Sequence, residues 1–179
     1  MNKKLVVIVG YAGAGKTTLA KMLALKNDYA LLREDDFVLE MNPASLAKQV
    51  ARKSDRIYGL NNLKLVLSVY MGTGRSAVVE GDFVDGPFYL DDFRQLAKKY
   101  KFDFIPVMLT GAEMRRRRRR VRGEGHFMVN ATQDRHIRRE MQRLGYLEEC
   151  HQIDTTEQSL AKTHAMLEDL VQNWPFLGI

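Results

Sequence analysis

Of the 179 residues only one is cysteine, one is tryptophan and four are proline. The lone thiol, Cys150, has no partner for an intramolecular disulfide, and no Cys/His grouping has zinc-finger spacing. A disulfide scaffold and a structural metal are therefore excluded, and a reducing, cytoplasmic compartment is expected. Long apolar runs are also missing: no stretch approaches the ~18 residues of a membrane span. The five-residue run Leu5 to Val9 behind Lys3-Lys4 is too short for a signal peptide, so a soluble protein without a membrane partner is expected. Thirteen glycines and 45% hydrophobic residues without any repeat or linker exclude collagen-like and low-complexity chains. The expectation is a single domain over residues 1–179, long enough to bury roughly 70% of its unfolded surface without staples.

Charge is present but unevenly placed. The formal net charge is +6. Residues 111–143 contain eleven arginines (Arg115 to Arg120, Arg122, Arg135, Arg138, Arg139, Arg143) against four acids (Glu113, Glu124, Asp134, Glu140), a balance of +7. The rest of the chain sums to −1. One cationic segment on a near-neutral domain calls for a local cause, such as a polyanionic acceptor lying over one face.

Hydrophobic patterning supplies the architecture. Lys4 to Val9 is a β-branched run, the signature of a strand covered on both faces in a parallel sheet. A helix from Lys16 to Asn27-Asp28 follows, with Leu19, Met22, Leu23 and Leu25 expected toward the sheet. Tyr29 to Leu32 reads as a second strand, and Asn42-Pro43 as a helix start. A helix to about Met71 carries the stripe Leu60, Leu63, Val66, Leu67 and Tyr70, with a break expected near Ser54 or Gly59. Ala77 to Val79 is strand three, Leu90 to Tyr100 a helix, Phe102 to Leu109 strand four. The arginine segment reads as a helix broken at Gly123-Glu124-Gly125, Thr132 to Leu144 as another helix, Glu149 to Ile153 as strand five and Glu157 to Gln172 as the last helix. Alternating strands and helices predict a three-layer α/β fold around a five-stranded parallel sheet.

The chemistry enters at Gly10-Tyr11-Ala12-Gly13-Ala14-Gly15-Lys16-Thr17, which satisfies G-x-x-x-x-G-K-[ST] between a strand and a helix. Gly10, Gly13, Ala14 and Gly15 permit a backbone whose N–H groups wrap a phosphate, and the helix N-terminus through Thr18 adds its partial positive charge. In this pattern Lys16 serves the β- and γ-phosphates of ATP and the Thr17 hydroxyl serves Mg2+. What happens to the nucleotide depends on the carboxyl ends of the other strands, which carry Glu34-Asp35-Asp36 and Glu80-Gly81-Asp82. A carboxylate at such a place takes the proton of an acceptor hydroxyl, while Glu80 or Asp82 holds magnesium through water; Asp35, Asp36, Glu80 and Asp82 form the candidate acceptor side. Asp35-Asp36 equally suits a helix cap, and Glu80-Gly81-Asp82 a plain turn.

These motifs resemble the small P-loop kinases, above all the phage-type 5′-hydroxyl polynucleotide kinase domain, which implies the three-layer P-loop kinase fold with an arginine-rich lid at about 111–130. Arg33-Glu34-Asp35-Asp36-Phe37 is similar to that family's Arg-Asp-Asp-Tyr segment, which implies Asp35 as general base. Arg118 and Arg122-Gly123 repeat its Arg-x-x-x-Arg-Gly spacing, which implies Arg122 on the transferring phosphate and Arg118 on the nucleotide. Val38 stands where the family has a basic residue, and Glu80-Gly81-Asp82 where it has Ser-Asp-Thr, so the acceptor stays open. Gly125-His126-Phe127-Met128 resembles the lid of gluconate kinases, and Glu80-Gly81 the strand-three ending of zeta-toxin-like sugar-nucleotide kinases. Kinases of hydroxymethyl groups on modified phage DNA bases suit both the cationic lid and the altered acceptor site.

Six consecutive arginines point all around a helix, so one or two serve a lid and the surplus faces outward, either toward a nucleic-acid backbone or into solvent. Phe37, Phe83, Phe88 and Tyr89 are placed near the acceptor cleft, for stacking on a base or for packing. The leading expectation is an ATP- and magnesium-dependent kinase acting on a hydroxyl of DNA, another nucleic acid or a nucleotide. The alternatives are a small-metabolite or sugar-nucleotide kinase and a nucleotide-hydrolysing regulatory module.

Overall fold

The computed structural model describes residues 2–40, 53–84, 89–111 and 131–174. Five strands form one all-parallel sheet in the order β2-β3-β1-β4-β5: β1 (Lys4–Gly10), β2 (Ala30–Arg33), β3 (Ala77–Glu80), β4 (Asp103–Thr110) and β5 (His151–Asp154). The described helices are α1 (Lys16–Asn27), α2 (Lys53–Gly72), α3 (Leu90–Tyr100), α4 (Ala131–Arg143), α5 (Tyr146–Glu149) and α6 (Leu160–Gln172), with a π-helical turn at Asp36–Glu40.

The continuous apolar run of β1 has the predicted cause, a strand covered on both sides. Leu5, Val7 and Val9 join α2, α3 and α4 in one core through Leu60, Leu63, Leu67, Phe93, Ile137 and Met141. Val6 and Ile8 point the other way, onto Leu19 and Leu23 of α1 and Leu167 and Val171 of α6. Period two in the strand thus feeds two helical layers, the expected three-layer fold.

Several local expectations change. Leu25 does not face the sheet and is 87% exposed; Ala20 and Ala24 join Leu19 and Leu23 on the buried face, because small residues let α1 lie close to the strands. Asp28 ends α1 in the left-handed region at φ 53°, with its N–H bonded to the Ala24 carbonyl. α2 runs unbroken through Gly59. That glycine allows close approach instead: a Cβ there would lie 2.5 Å from the Phe37 carbonyl oxygen. β5 begins at His151 because Gly145, left-handed at φ 70°, starts the short helix α5 just before it. The Asn42-Pro43 helix start and the arginine helix with its Gly123-Glu124-Gly125 break lie outside the described residues. No helix among the described residues is long and apolar enough to cross a membrane.

Gly59→Ala tests the packing of α2 on the Asp36–Glu40 turn. In an open helix this change stabilises by about 0.8–1 kcal/mol. Here the methyl meets backbone, and denaturant unfolding should show a loss of about 1–3 kcal/mol. A gain in stability would show that the turn yields.

Candidate active site

A parallel sheet brings all its carboxyl ends to one edge, and β1 lies where the chain turns to opposite sides, with β3 on one flank and β4 on the other. The P-loop leaves that edge. Gly13 and Gly15 take the left-handed backbone at φ 84° and 100°, and the Ala14 N–H closes a turn on the Tyr11 carbonyl at 3.0 Å. Gly10 is fixed by space as well as by conformation: at φ 146°, a Cβ would fall 2.4 Å from the Leu109 oxygen of the neighbouring strand.

Lys16 points back over this loop. Its Nζ donates to the Gly10 carbonyl at 2.7 Å and to Asp82 Oδ1 at 2.7 Å. Burial alone would depress the ammonium, but the Asp82 charge and hydrogen bond, helped by Glu80 and Asp35, outweigh it and hold Lys16 above the ordinary lysine range. Next along α1, the Thr17 hydroxyl donates to Glu80 Oε1 at 3.0 Å. Glu80 is buried, and desolvation raises its carboxyl despite the opposing Lys16 charge and the Thr17 bond.

The second-strand acids divide by role. Asp36 is held by Arg33 Nη1 at 2.6 Å, and Arg33 Nε also reaches Glu80 Oε1 at 3.2 Å. Asp35 is solvent-exposed on one side and has no hydrogen-bond partner among the described residues. Desolvation by the cleft walls and the charge of Asp82 raise its carboxyl, while Lys16, Arg33 and Arg56 pull it down. Glu34 is 5% exposed and accepts from the amides of Asp82 and Phe83 at 2.7 and 3.1 Å. Desolvation, then the Asp82 charge, push it well above the carboxylate range against the Arg56 guanidinium.

The donor set fits a magnesium ion shared with phosphates. The Thr17 hydroxyl and the carboxylates of Glu80 and Asp82 converge on the mouth of the P-loop. No group of three or more His, Cys, Asp or Glu forms an all-protein metal cage among the described residues. Magnesium keeps waters and takes few protein ligands, so an open set of this kind suits it better than a cage.

The sequence profile of the AAA_33 family, an AAA domain, matches residues 5–145. The chain belongs to this family of P-loop kinases. Solved structures agree in fold. A sugar kinase from Janibacter sp. is 21% identical with a TM-score of 0.63, covering 95% of each chain. A gluconokinase from Sinorhizobium meliloti is 18% identical with a TM-score of 0.63 over 98% of each chain. A shikimate kinase from Acinetobacter baumannii is 16% identical with a TM-score of 0.57, covering 97% of this chain and 96% of the other. No curated protein matches the sequence. The likeness is to small kinases at large and does not single out the phage-type polynucleotide kinase domain. Family and fold are those of the small P-loop kinases.

In this AAA_33 chain the edge of the sheet brings together Lys16, Thr17, Asp35, Asp36, Glu80 and Asp82. Arg118 and Arg122 lie outside the described residues, as do His126 and Phe88. Phe83 is no stacking platform: it is fully buried, edge-on to Phe93 with ring centroids 4.9 Å apart. Three contributors have no role assigned from the sequence. Arg33 bridges Asp36 and Glu80, Arg56 of α2 faces Glu34, and Arg138 of α4 stacks its guanidinium 4.0 Å over the Tyr11 ring of the P-loop. Only Arg33 had a local clue, standing beside the acids at the end of a strand.

Lys16→Ala should abolish phosphoryl transfer and leave the circular-dichroism spectrum and cooperative unfolding intact, since the ammonium touches the loop and a carboxylate and not the apolar core. Turnover near that of the parent would contradict the site. Asp35→Asn should lower turnover by at least about a hundredfold with ATP binding largely kept, as for loss of a general base. Asp36→Asn, which weakens only a charge-assisted bond to Arg33, should be milder. The reverse order of effects would move the base to Asp36.

Proposed function

We propose that the chain transfers the γ-phosphoryl group of ATP to a hydroxyl on a nucleic acid or nucleotide, a 5′-hydroxyl or a hydroxymethyl group on a modified base. The observation that carries the transfer step is Asp35, a carboxylate without a hydrogen-bond partner among the described residues, within the fields of Lys16 and Asp82. Its neighbours Glu34, Asp36, Glu80 and Asp82 are all engaged.

In this reading the P-loop amides from Gly10 to Thr18 hold the phosphates and Lys16 divides its donors between them and Asp82. The acceptor oxygen attacks the γ-phosphorus in line, its proton passes to Asp35, and the bond from phosphorus to the β–γ bridging oxygen breaks with ADP as the leaving group. Magnesium, when bound at Thr17 and through water at Glu80 or Asp82, supplies charge neutralisation of the phosphates. Arg122 and Arg118 are assigned to the transferring phosphate and the nucleotide by the resemblance of their segment to kinase lids.

Two observations bear on the acceptor. The +7 balance of residues 111–143 supports a polyanion, and the described part of that segment, α4, presents Arg139 and Arg143 to solvent. The fold neighbours named for sugars, gluconate and shikimate support the second reading, a small-metabolite or sugar-nucleotide kinase. Salt separates the two. A charge run that binds a nucleic-acid backbone releases counterions, and abolishing the hold on a single phosphate lowers the slope of log affinity against log salt by about 0.7–0.9.

Arg115, Arg116 and Arg117 should be neutralised together, and transfer to an oligonucleotide and to a mononucleoside followed over a salt series. Selective loss on the oligonucleotide, with a shallower salt slope, is the expected result. Equal behaviour on both acceptors, or no oligonucleotide activity in the parent, overturns the polymer reading in favour of the metabolite kinase.

A further inference from the structure

Glu34 is a buried carboxylate that phosphate binding and proton transfer leave unused. Its Oε2 accepts from the Asp82 and Phe83 amides at 2.7 and 3.1 Å, and its Oε1 faces Arg56 Nη1 at 3.6 Å. Gly81 is the residue that lets it in: a Cβ there would stand 2.4 Å from Oε2. The same turn is held from its other side, where the Tyr146 hydroxyl of α5 donates to the Phe83 carbonyl at 2.6 Å. Phe83 sits at φ 48°, a left-handed backbone that a bulky residue keeps only where its surroundings impose it. Those surroundings are the Glu34 carboxylate, the Tyr146 hydroxyl and the ring contact with Phe93.

A buried carboxylate beside Asp82 is electrostatically unfavourable, and a fold needing only to cap two amides has cheaper solutions in a neutral side chain or a carbonyl. The site does gain a fixed turn between β3 and α3. Asp82 stands on that turn, and its carboxylate meets Lys16 Nζ at 2.7 Å. We infer that Glu34 is a positioning residue of the phosphoryl-transfer site, fixing the Gly81-Asp82-Phe83 turn through two main-chain hydrogen bonds and so placing Asp82 against Lys16. The inference rests on the kinase reading above.

The test is steady-state kinetics of Glu34→Ala and Glu34→Gln beside the parent, with a double-mutant cycle through Asp82→Asn. Parent activity is measured first, so a parent inactive on every acceptor overturns the kinase reading itself, and this inference with it. Glu34→Ala should lower kcat by about 30- to 100-fold, the scale of a displaced catalytic group, with the KM for ATP changed less than about fivefold. Glu34→Gln keeps an oxygen for both amides and should restore kcat to within about tenfold of the parent. The double variant Glu34→Ala, Asp82→Asn should fall no more than about twofold below Asp82→Asn alone, because one residue acts through the other. Amide exchange at Asp82 and Phe83 should accelerate in Glu34→Ala and not in Glu34→Gln. If Glu34→Ala fails to fold, Glu34→Asp withdraws the carboxylate by one methylene and should show the same kcat-selective loss. Parental kcat in a folded Glu34→Ala or Glu34→Asp variant, or multiplicative losses in the cycle, overturns the inference.

Discussion

The Lys16 ammonium ties the P-loop to the turn after β3, 66 residues further along the chain, and the rest of the site is arranged around it. It rises from the first turn of α1, bonds the carbonyl of Gly10 at the end of β1, and meets the Asp82 carboxylate beyond β3. A half-buried cation of this kind holds its charge only with carboxylates around it, and the carboxylates in turn crowd one another. Glu34, Asp35 and Glu80 are all pushed above the ordinary range by desolvation, and Lys16, Arg33 and Arg56 keep the cluster together. Opposite charges thus hold the cluster together at the mouth of the P-loop.

The sheet makes that arrangement possible. Because all five strands run parallel, the ends of β1, β2 and β3 lie side by side, and Lys16, Asp35 and Asp82 come to one edge of the sheet although they are far apart in sequence. Two apolar layers hold the sheet, so the charges sit at the rim of a rigid scaffold. Glycine enters where a neighbour comes too close for a side chain, at Gly10 against the β4 backbone and at Gly81 against the Glu34 carboxylate.

How much of this was legible in the sequence depends on the range of the signal. The strand from Lys4, the helix from Leu90 to Tyr100 and the P-loop are local patterns, written in consecutive residues, and they stand where the patterning puts them. Leu25 misled because periodicity alone cannot tell that two alanines bring α1 close enough to leave the leucine outside. Gly59 looked like a helix break because its partner, the Phe37 carbonyl, lies 22 residues earlier in the chain. In the site, Asp35 and Asp82 could be named from their place after strands, whereas Arg56 and Tyr146 could not. They reach it from α2 and α5, where nothing in the neighbouring residues distinguishes them from other surface or core side chains.

A P-loop also serves proteins that only bind or hydrolyse a nucleotide, so the central claim is that this one hands its phosphoryl group to a hydroxyl. The direct measurement uses ATP radiolabelled at the γ-phosphate, incubated with magnesium, the parent protein and a panel of DNA, RNA, nucleosides and sugars. The account predicts label on a hydroxyl-bearing acceptor, transferred by the parent and lost in Lys16→Ala and Asp35→Asn. Label released only as inorganic phosphate, at the same rate with every member of the panel and with none, would contradict it and leave a nucleotide-hydrolysing module in its place.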